Sequence, residues 1–73
     1  MPPIRPKSYV LTSREAEALT WVARGKTSQE ISIILKISKR TIDEHVRLAV
    51  SKTGAANRAH AVAIAVRDQF INL

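Results

Sequence analysis

The chain has 73 residues, enough for one domain and not two. Lys and Arg number 12 against 6 Asp and Glu, and the formal net charge of +6 favours a polyanionic partner, although a membrane surface or a merely soluble basic protein fits the charge equally well. The absence of cysteine excludes disulfides and thiol catalysis and fits a reducing cytoplasm, and no apolar stretch is long enough to span a bilayer.

Residues 1–10 hold the three prolines and are predicted to form an extended arm or the remnant of a linker, with the folded domain at residues 11–73. The first helix begins at Thr12, which forms a capping box with Glu15, and Gly25 ends it as a left-handed cap. Its predicted inner face comprises Ala16, Leu19, Val22 and Ala23. Trp21 lies outside that face, and we expect it to cover the arm at Ile4, Tyr9 and Val10 or to meet another domain.

The second helix begins in the same way, with Thr27 as its cap and Glu30 closing the box, and it is predicted to bury Ile31, Ile34 and Leu35. A turn of three residues, Lys36, Ile37 and Ser38, leads into the third helix, which Ser38 caps and which runs to about Thr53. The predicted inner residues of this helix are Ile42, Val46, Ala49 and Val50. Its outward side carries Lys39, Arg40, Asp43, Glu44, Arg47 and Ser51.

Gly54 ends the third helix, and Asn57 caps a fourth helix predicted from about Arg58 to Gln69. The run from Ala61 to Val66 is apolar on every side, so this helix requires burial on all sides, which a domain of this size cannot supply by itself. We therefore place Ala59, Val62 and Val66 against the core and predict a homodimer interface on the opposite side, at Ala61, Ile64, Ala65 and Asp68. The alternative is an alanine-rich surface without a partner.

These elements predict an all-α fold, a compact four-helix bundle. A short helix, a three-residue turn and a longer helix cross steeply in the DNA-binding helix-turn-helix, whose second helix enters the major groove. The charged outward side of the third helix suits that role. From the pattern alone, a solvated surface explains the same charges equally well.

Four stretches carry a resemblance to a known family: LTSREAEAL (11–19), ARGKTSQEI (23–31), ILKISKRTIDEHV (34–46) and KTGAANRAHAVAIAV (52–66). They closely resemble the LuxR-type helix-turn-helix family, also called the NarL/FixJ or GerE type. The resemblance implies a four-helix domain that binds promoter DNA through its third helix, usually as a dimer through its fourth, with RNA polymerase as a further partner. One departure is Lys36, which stands where the family usually has a glycine.

The stretch WVARGKTSQEI (21–31) resembles the quorum-sensing branch of that family, whose N-terminal domains bind acyl-homoserine lactones. If this chain is a fragment, the resemblance implies such an N-terminal sensor domain. A standalone small regulator and a response-regulator output domain are the alternatives.

Base readout is expected at Arg47, Asp43 and Glu44, which match base-reading positions of the family. A guanidinium can make two hydrogen bonds to guanine, and a carboxylate can accept one from cytosine. Alternatively, Asp43 holds Arg47, four residues later, in a set rotamer. Phosphate contacts, which orient a protein without reading sequence, are predicted at Thr27, Ser28, Gln29, Lys39, Arg40, Thr41, Lys52 and Arg58. His45 contacts a phosphate or packs at the core edge, and with only His60 as a companion it forms no metal site; no cofactor is expected.

Other classes of function fit less well. In a protein-interaction module that uses the fourth helix, the charged face of the third helix would have no function. Preference for a specific duplex over a random one distinguishes a DNA-binding domain from such a module. An enzyme is not expected, because the only acid–base cluster, Asp43, Glu44 and His45, is consecutive on one helix and fans outward. A membrane-binding peptide relies on one long amphipathic helix, unlike the several short capped helices predicted here.

Overall fold

The computed structural model describes residues 9–72, so residues 1–8 of the predicted arm (1–10) lie outside the described residues. Within that range the chain forms four helices and no strand: α1 (Ser13–Ala23), α2 (Ser28–Leu35), α3 (Lys39–Thr53) and α4 (Arg58–Arg67). The predicted all-α bundle is confirmed. None of these helices is long and apolar enough to cross a bilayer.

Each helix starts at the residue that the sequence predicts, because a side-chain oxygen accepts the N–H three residues further on. Thr12 and Thr27 form complete capping boxes with Glu15 and Glu30. Ser38 accepts the Thr41 N–H at 3.1 Å, and Asn57 accepts the His60 N–H at 2.9 Å.

The helix ends follow from backbone conformation. Gly25 (φ 83°) and Gly54 (φ 71°) are left-handed, as predicted for the residues that end α1 and α3. The α4 helix ends at Arg67, before the predicted Gln69, because Gln69 itself has a left-handed φ of 64°.

Lys36 closes α2 in the left-handed conformation, with φ 56° and ψ 43°. For a residue with a Cβ this conformation costs about 1–2 kcal/mol relative to the right-handed one. The turn into α3 is therefore strained at Lys36, the position where the resemblance described above leads us to expect a glycine.

Replacing Lys36 with glycine should raise the free energy of unfolding by about 0.5–1 kcal/mol, because relief of the left-handed strain exceeds the added entropy of the unfolded chain. Urea unfolding followed by Trp21 fluorescence measures the change. Lys36→Ala is the matched control, since it removes the same charged side chain but keeps the Cβ. Equal stability of the two variants would contradict the strain.

The core consists of two clusters of buried side chains. One joins α1, α3, α4 and the segments before and after the helices, through Leu11, Leu19, Ala49, Ala61, Ala65 and Ile71. The other joins α1, α2 and α3, through Ala18, Ile31, Ile42 and Val46. Val50 packs against both clusters, so α3 connects them.

Two predictions of burial need correction, one in α2 and one in α1. Ile34 is 39% exposed, because the short α2 packs mainly through Ile31. In α1 the fully buried residues are Ala18 and Leu19, whereas Ala16, Val22 and Ala23 are only half-buried. The α1 core face is therefore rotated towards Glu15, which is itself buried.

The predicted core face of α4 is wrong except at Val62, which is half-buried against the cluster that joins α1, α3 and α4. Ala61 and Ala65 are fully buried and Ile64 is 8% exposed, whereas Ala59 and Val66 face solvent. The physical reason is that α4 packs against both α1 and α3, while its all-apolar sequence carries no amphipathic period that would indicate its inner face.

The predicted dimer interface at Ala61, Ile64, Ala65 and Asp68 is also wrong, because it was placed opposite the predicted core face of α4. Three of these residues belong to the core of the chain itself, and Asp68 accepts a hydrogen bond from the Tyr9 hydroxyl at 2.5 Å.

The segment before α1 does not cover Trp21 through Tyr9. Tyr9 lies against Phe70, with ring centroids 5.1 Å apart, and packs on the core cluster that joins α1, α3 and α4. Burial and the hydrogen bond to Asp68 raise the pKa of Tyr9 to about 12. Trp21 instead packs on the α1–α2–α3 cluster, and the Arg24 guanidinium lies 5.0 Å from its ring.

Candidate nucleic-acid interface

The turn between α2 and α3 is held by local bonds. The Ile37 N–H donates to the Ser32 carbonyl at 3.1 Å, and Ser38 then caps α3. Because Ile42 and Val46 point into the core, α3 turns its charged side outward, as predicted. This surface is the α3 outer face, formed by Lys39, Arg40, Asp43, Glu44 and Arg47.

Arg47 is exposed and is held by Glu44 three residues earlier. Its Nε donates to one carboxylate oxygen at 3.1 Å, and a terminal nitrogen donates to the other, which makes a two-point fork. Arg47 holds the pKa of Glu44 below its usual range, and Glu44 raises the pKa of Arg47. The guanidinium thus has a preferred direction, with nitrogen–hydrogen groups left for a further partner.

Asp43 does not hold Arg47, which corrects one alternative from the sequence. Its Oδ2 lies 3.0 Å from Lys39 Nζ, and its Oδ1 lies 3.5 Å from an Arg58 nitrogen at the start of α4. Its pKa is lowered, first by the nearby Ser28 hydroxyl, whose contact falls short of a well-formed hydrogen bond, and then by Lys39 and Arg58. We name Ser28, Lys39, Asp43 and Arg58 the Asp43 junction.

The other predicted phosphate-contacting residues lie at the starts of helices. Gln29 and Arg40 are exposed, and Arg40 makes no ion pair with any residue from 9 to 72. The hydroxyls of Thr27 and Thr41 take part in the capping bonds. Ser28 is only 6% exposed, so its side chain is less accessible to a phosphate than those of the other predicted contacts.

Lys52, a predicted phosphate contact, binds two groups of the chain itself. Its ammonium lies 2.8 Å from Oε1 of the buried Glu15 and 3.3 Å from the Val10 carbonyl. Burial raises the pKa of Glu15, but the hydrogen bonds from Lys52 and Thr12 outweigh this effect and hold the pKa below its usual range. The sequence showed Glu15 as a capping residue and gave no signal of its partner in α3.

The histidines do not converge. His60 Nδ1 accepts the Ala56 N–H at 3.0 Å within the turn before α4, and His45 is half-buried on α3. Between residues 9 and 72, no three His, Asp or Glu side chains are close enough to hold a metal ion.

An open groove runs between α3 and the start of α4. Its floor is apolar, its rim carries two guanidinium groups, and its lining residues are Asp43, Val46, Arg47, Val50, Asn57 and Arg58. The base-reading candidate on α3 and the phosphate-contacting candidate on α4 therefore border one concave surface.

Comparison with known proteins identifies the fold and the family. Residues 9–65 match the family described as "Bacterial regulatory proteins, luxR family". The chain is 50% identical over 62 residues to the transcriptional activator protein BjaR1 of Bradyrhizobium diazoefficiens, covering 85% of this chain and 26% of that protein. It is 51% identical over 63 residues to the HTH-type quorum sensing-dependent transcriptional regulator RpaR of Rhodopseudomonas palustris, covering 86% of this chain and 26% of that protein.

Solved structures agree with the sequence relatives. The transcription factor GerE superposes with a TM-score of 0.81 at 32% identity, over 85% of this chain and 92% of that one. Escherichia coli SdiA superposes with a TM-score of 0.84 at 33% identity, over 96% of this chain and 29% of that one. The chain spans about a quarter of the length of the curated relatives named above. It belongs to the luxR family of bacterial regulatory proteins and has the helix-turn-helix fold of the transcription factor GerE.

Proposed function

We propose that this chain reads a two-fold promoter sequence as the DNA-binding domain of a quorum-sensing transcription regulator. The observation that carries the proposal is the α3 outer face, where Glu44 holds Arg47 in a fork on an exposed helix. In the proposed complex α3 enters the major groove and Arg47 bonds O6 and N7 of a guanine. Glu44 orients Arg47 or accepts a bond from a neighbouring cytosine.

The phosphate contacts of this proposal come from the starts of three helices. Backbone N–H groups and the helix dipole favour phosphate there, and exposed cations add charge. The proposed contacts are Thr27, Ser28, Gln29, Lys39, Arg40, Thr41 and Arg58. Lys52 is left out, because two of the three donors of its ammonium already bind Glu15 and the Val10 carbonyl, and the Glu15 side chain is buried.

Dimerisation through α4 remains part of the proposal, on a different face. Ala59, Ala63 and Val66 are exposed and spaced by four and three residues, so they share one side of the helix. Small side chains there allow two helices to approach closely. The support is this surface and the family resemblance.

The signal and the partners follow from the relatives. RpaR is named as quorum sensing-dependent, and the resemblance of residues 21–31 to that branch suggests control by an acyl-homoserine lactone bound to a separate sensor domain. We further propose RNA polymerase as a partner and the cytoplasm as the location. A standalone regulator and a response-regulator output domain are the alternatives.

The proposal is tested by enriching a randomised duplex library on the purified chain. The enriched duplex is then titrated at several salt concentrations against random competitor. We expect a preference of about 10³-fold or more, and two half-sites about 34 Å apart that bind two chains cooperatively. A duplex with one half-site should bind more weakly.

Equal binding of every duplex with a steep salt dependence would contradict sequence reading. The positive charge alone would then account for binding, and a protein-interaction role of α4 would take its place.

A further inference from the structure

Asp43 is expected from the sequence to read a base, yet both of its carboxylate oxygens face cations of the chain. Lys39 Nζ lies 3.0 Å from one oxygen, and a guanidinium nitrogen of Arg58 lies 3.5 Å from the other. Lys39 and Arg58 are the first residues of α3 and α4, and both are proposed phosphate contacts. The carboxylate therefore connects two helix starts.

The start of a third helix, α2, lies beside the same carboxylate of Asp43. Ser28 is the first residue of α2 and is 6% exposed, with a hydroxyl that makes no well-formed hydrogen bond and lies beside Asp43. The Asp43 junction thus brings together the positive ends of α2 and α4 and two side-chain cations around one carboxylate.

We propose that Asp43 is a positioning residue for the DNA backbone, which holds Lys39 and Arg58 ready for phosphates and does not itself read a base. This inference rests on the proposed function. It assigns to Asp43 a contribution to affinity that is the same for every sequence, because phosphate contacts carry no sequence information.

The geometry favours positioning over simple repulsion of DNA. Lys and Arg side chains lose much rotamer freedom when they bind, and a partner that already restrains them removes part of that loss. An ammonium has three donors and a guanidinium five, so each can bond a phosphate while it stays on Asp43. Lys39 and Arg58 offset the negative charge of Asp43, which reduces its repulsion of DNA. Because both carboxylate oxygens already face these cations, they are poorly available to a cytosine.

The decisive variant is Asp43→Asn, titrated with the enriched and the random duplex beside the wild-type chain. We expect affinity for both duplexes to fall by about fivefold to tenfold, with their ratio unchanged, although a negative charge has been removed. The dependence of log K on log salt should become shallower by about 0.9 for each phosphate that the variant no longer neutralises. Glu17→Gln is the matched control, because it removes an exposed charge that pairs with Arg14 at 3.7 Å on α1; its affinity should not fall.

A double-mutant cycle separates positioning from a general effect on folding. In an Arg58→Gln, Lys39→Gln background, Asp43→Asn should have no further effect on affinity, because nothing remains to be positioned. A thermal melt of each variant establishes the folded fraction. A full additional loss in that background would overturn the proposal.

Two other results would also overturn it. Tighter binding of Asp43→Asn to every duplex would show that the carboxylate only repels phosphate, and an altered preference at one base pair would restore the base-reading role. If the wild type lacks sequence preference while Asp43→Asn still weakens random binding, the positioning role stands and the sequence-reading function fails.

Discussion

Replacing Lys52 with alanine should cost the domain about 2–4 kcal/mol of unfolding free energy at pH 7. The change leaves the Glu15 carboxylate, whose side chain is 2% exposed, without the ammonium that lies 2.8 Å from it. Loss of one partner of a buried pair is costly because the other charge stays desolvated. The expected cost lies below that for a fully buried pair, since Glu15 keeps the Thr12 N–H at 2.9 Å. A domain of this size has only about 4–10 kcal/mol of stability to lose.

The loss should depend on pH. In the wild type the pKa of Glu15 is lowered, so its contribution to stability is present above the ordinary value of 4.5 and disappears as the pH falls through the folded value. Without Lys52, two of the effects that lower the pKa of Glu15 are lost, so its carboxyl group protonates at a higher pH than in the wild type, and protonation in acid relieves the unpaired charge. The stability difference between variant and wild type should therefore shrink from pH 7 to about pH 4.

Urea unfolding at the two pH values measures this difference. Lys39→Ala is the matched control, because it removes a lysine from an exposed pair and should change stability little at either pH. A deficit of Lys52→Ala that stayed constant between pH 7 and pH 4 would assign the loss to packing of the lysine stem.

Replacing Arg47 with alanine should reduce the preference for the enriched duplex by about tenfold to a hundredfold, the value of one two-point contact with guanine. Binding to random duplex should change much less, because only one charge is removed. Arg47→Lys should recover little of the preference, since an ammonium cannot reproduce the fork. Titration with enriched and random duplexes gives both quantities.

Arg14→Ala provides the control for Arg47, because Arg14 is also exposed and also faces a glutamate three residues away, on α1. Its removal should leave the preference unchanged. If Arg47→Ala weakened both duplexes by the same factor, Arg47 would be a phosphate contact.

The starts of all four helices and the ends of α1 and α3 could be predicted, because each depends on residues close together in the sequence. Each helix is capped by a side-chain oxygen that accepts the N–H three residues later; the capping residues are Thr12, Thr27, Ser38 and Asn57. Gly25 and Gly54 supply the left-handed residues after α1 and α3. Such signals need no knowledge of the tertiary fold. The resemblance then supplied the role of α3.

The contacts between helices could not be predicted in the same way. Lys52 and Glu15 are 37 residues apart, and no local pattern links them. The buried face of α4 could not be identified, because the run from Ala61 to Val66 is apolar on every side. On α3, charges three and four residues apart are equally good partners, so the sequence could not decide between Asp43 and Glu44 for Arg47. The position of Arg58 beside Asp43 is a tertiary contact of the same kind.

The capping bonds at the four helix starts have a consequence for folding kinetics. Each helix can begin to form in the unfolded chain before any distant contact exists, and helical bundles rich in local contacts fold in microseconds to milliseconds. When the domain opens transiently, it should therefore close again faster than a protease can cleave it. Its lifetime in a cell then depends on how often it is open at equilibrium, and hence on the free energy of unfolding and not on the unfolding rate.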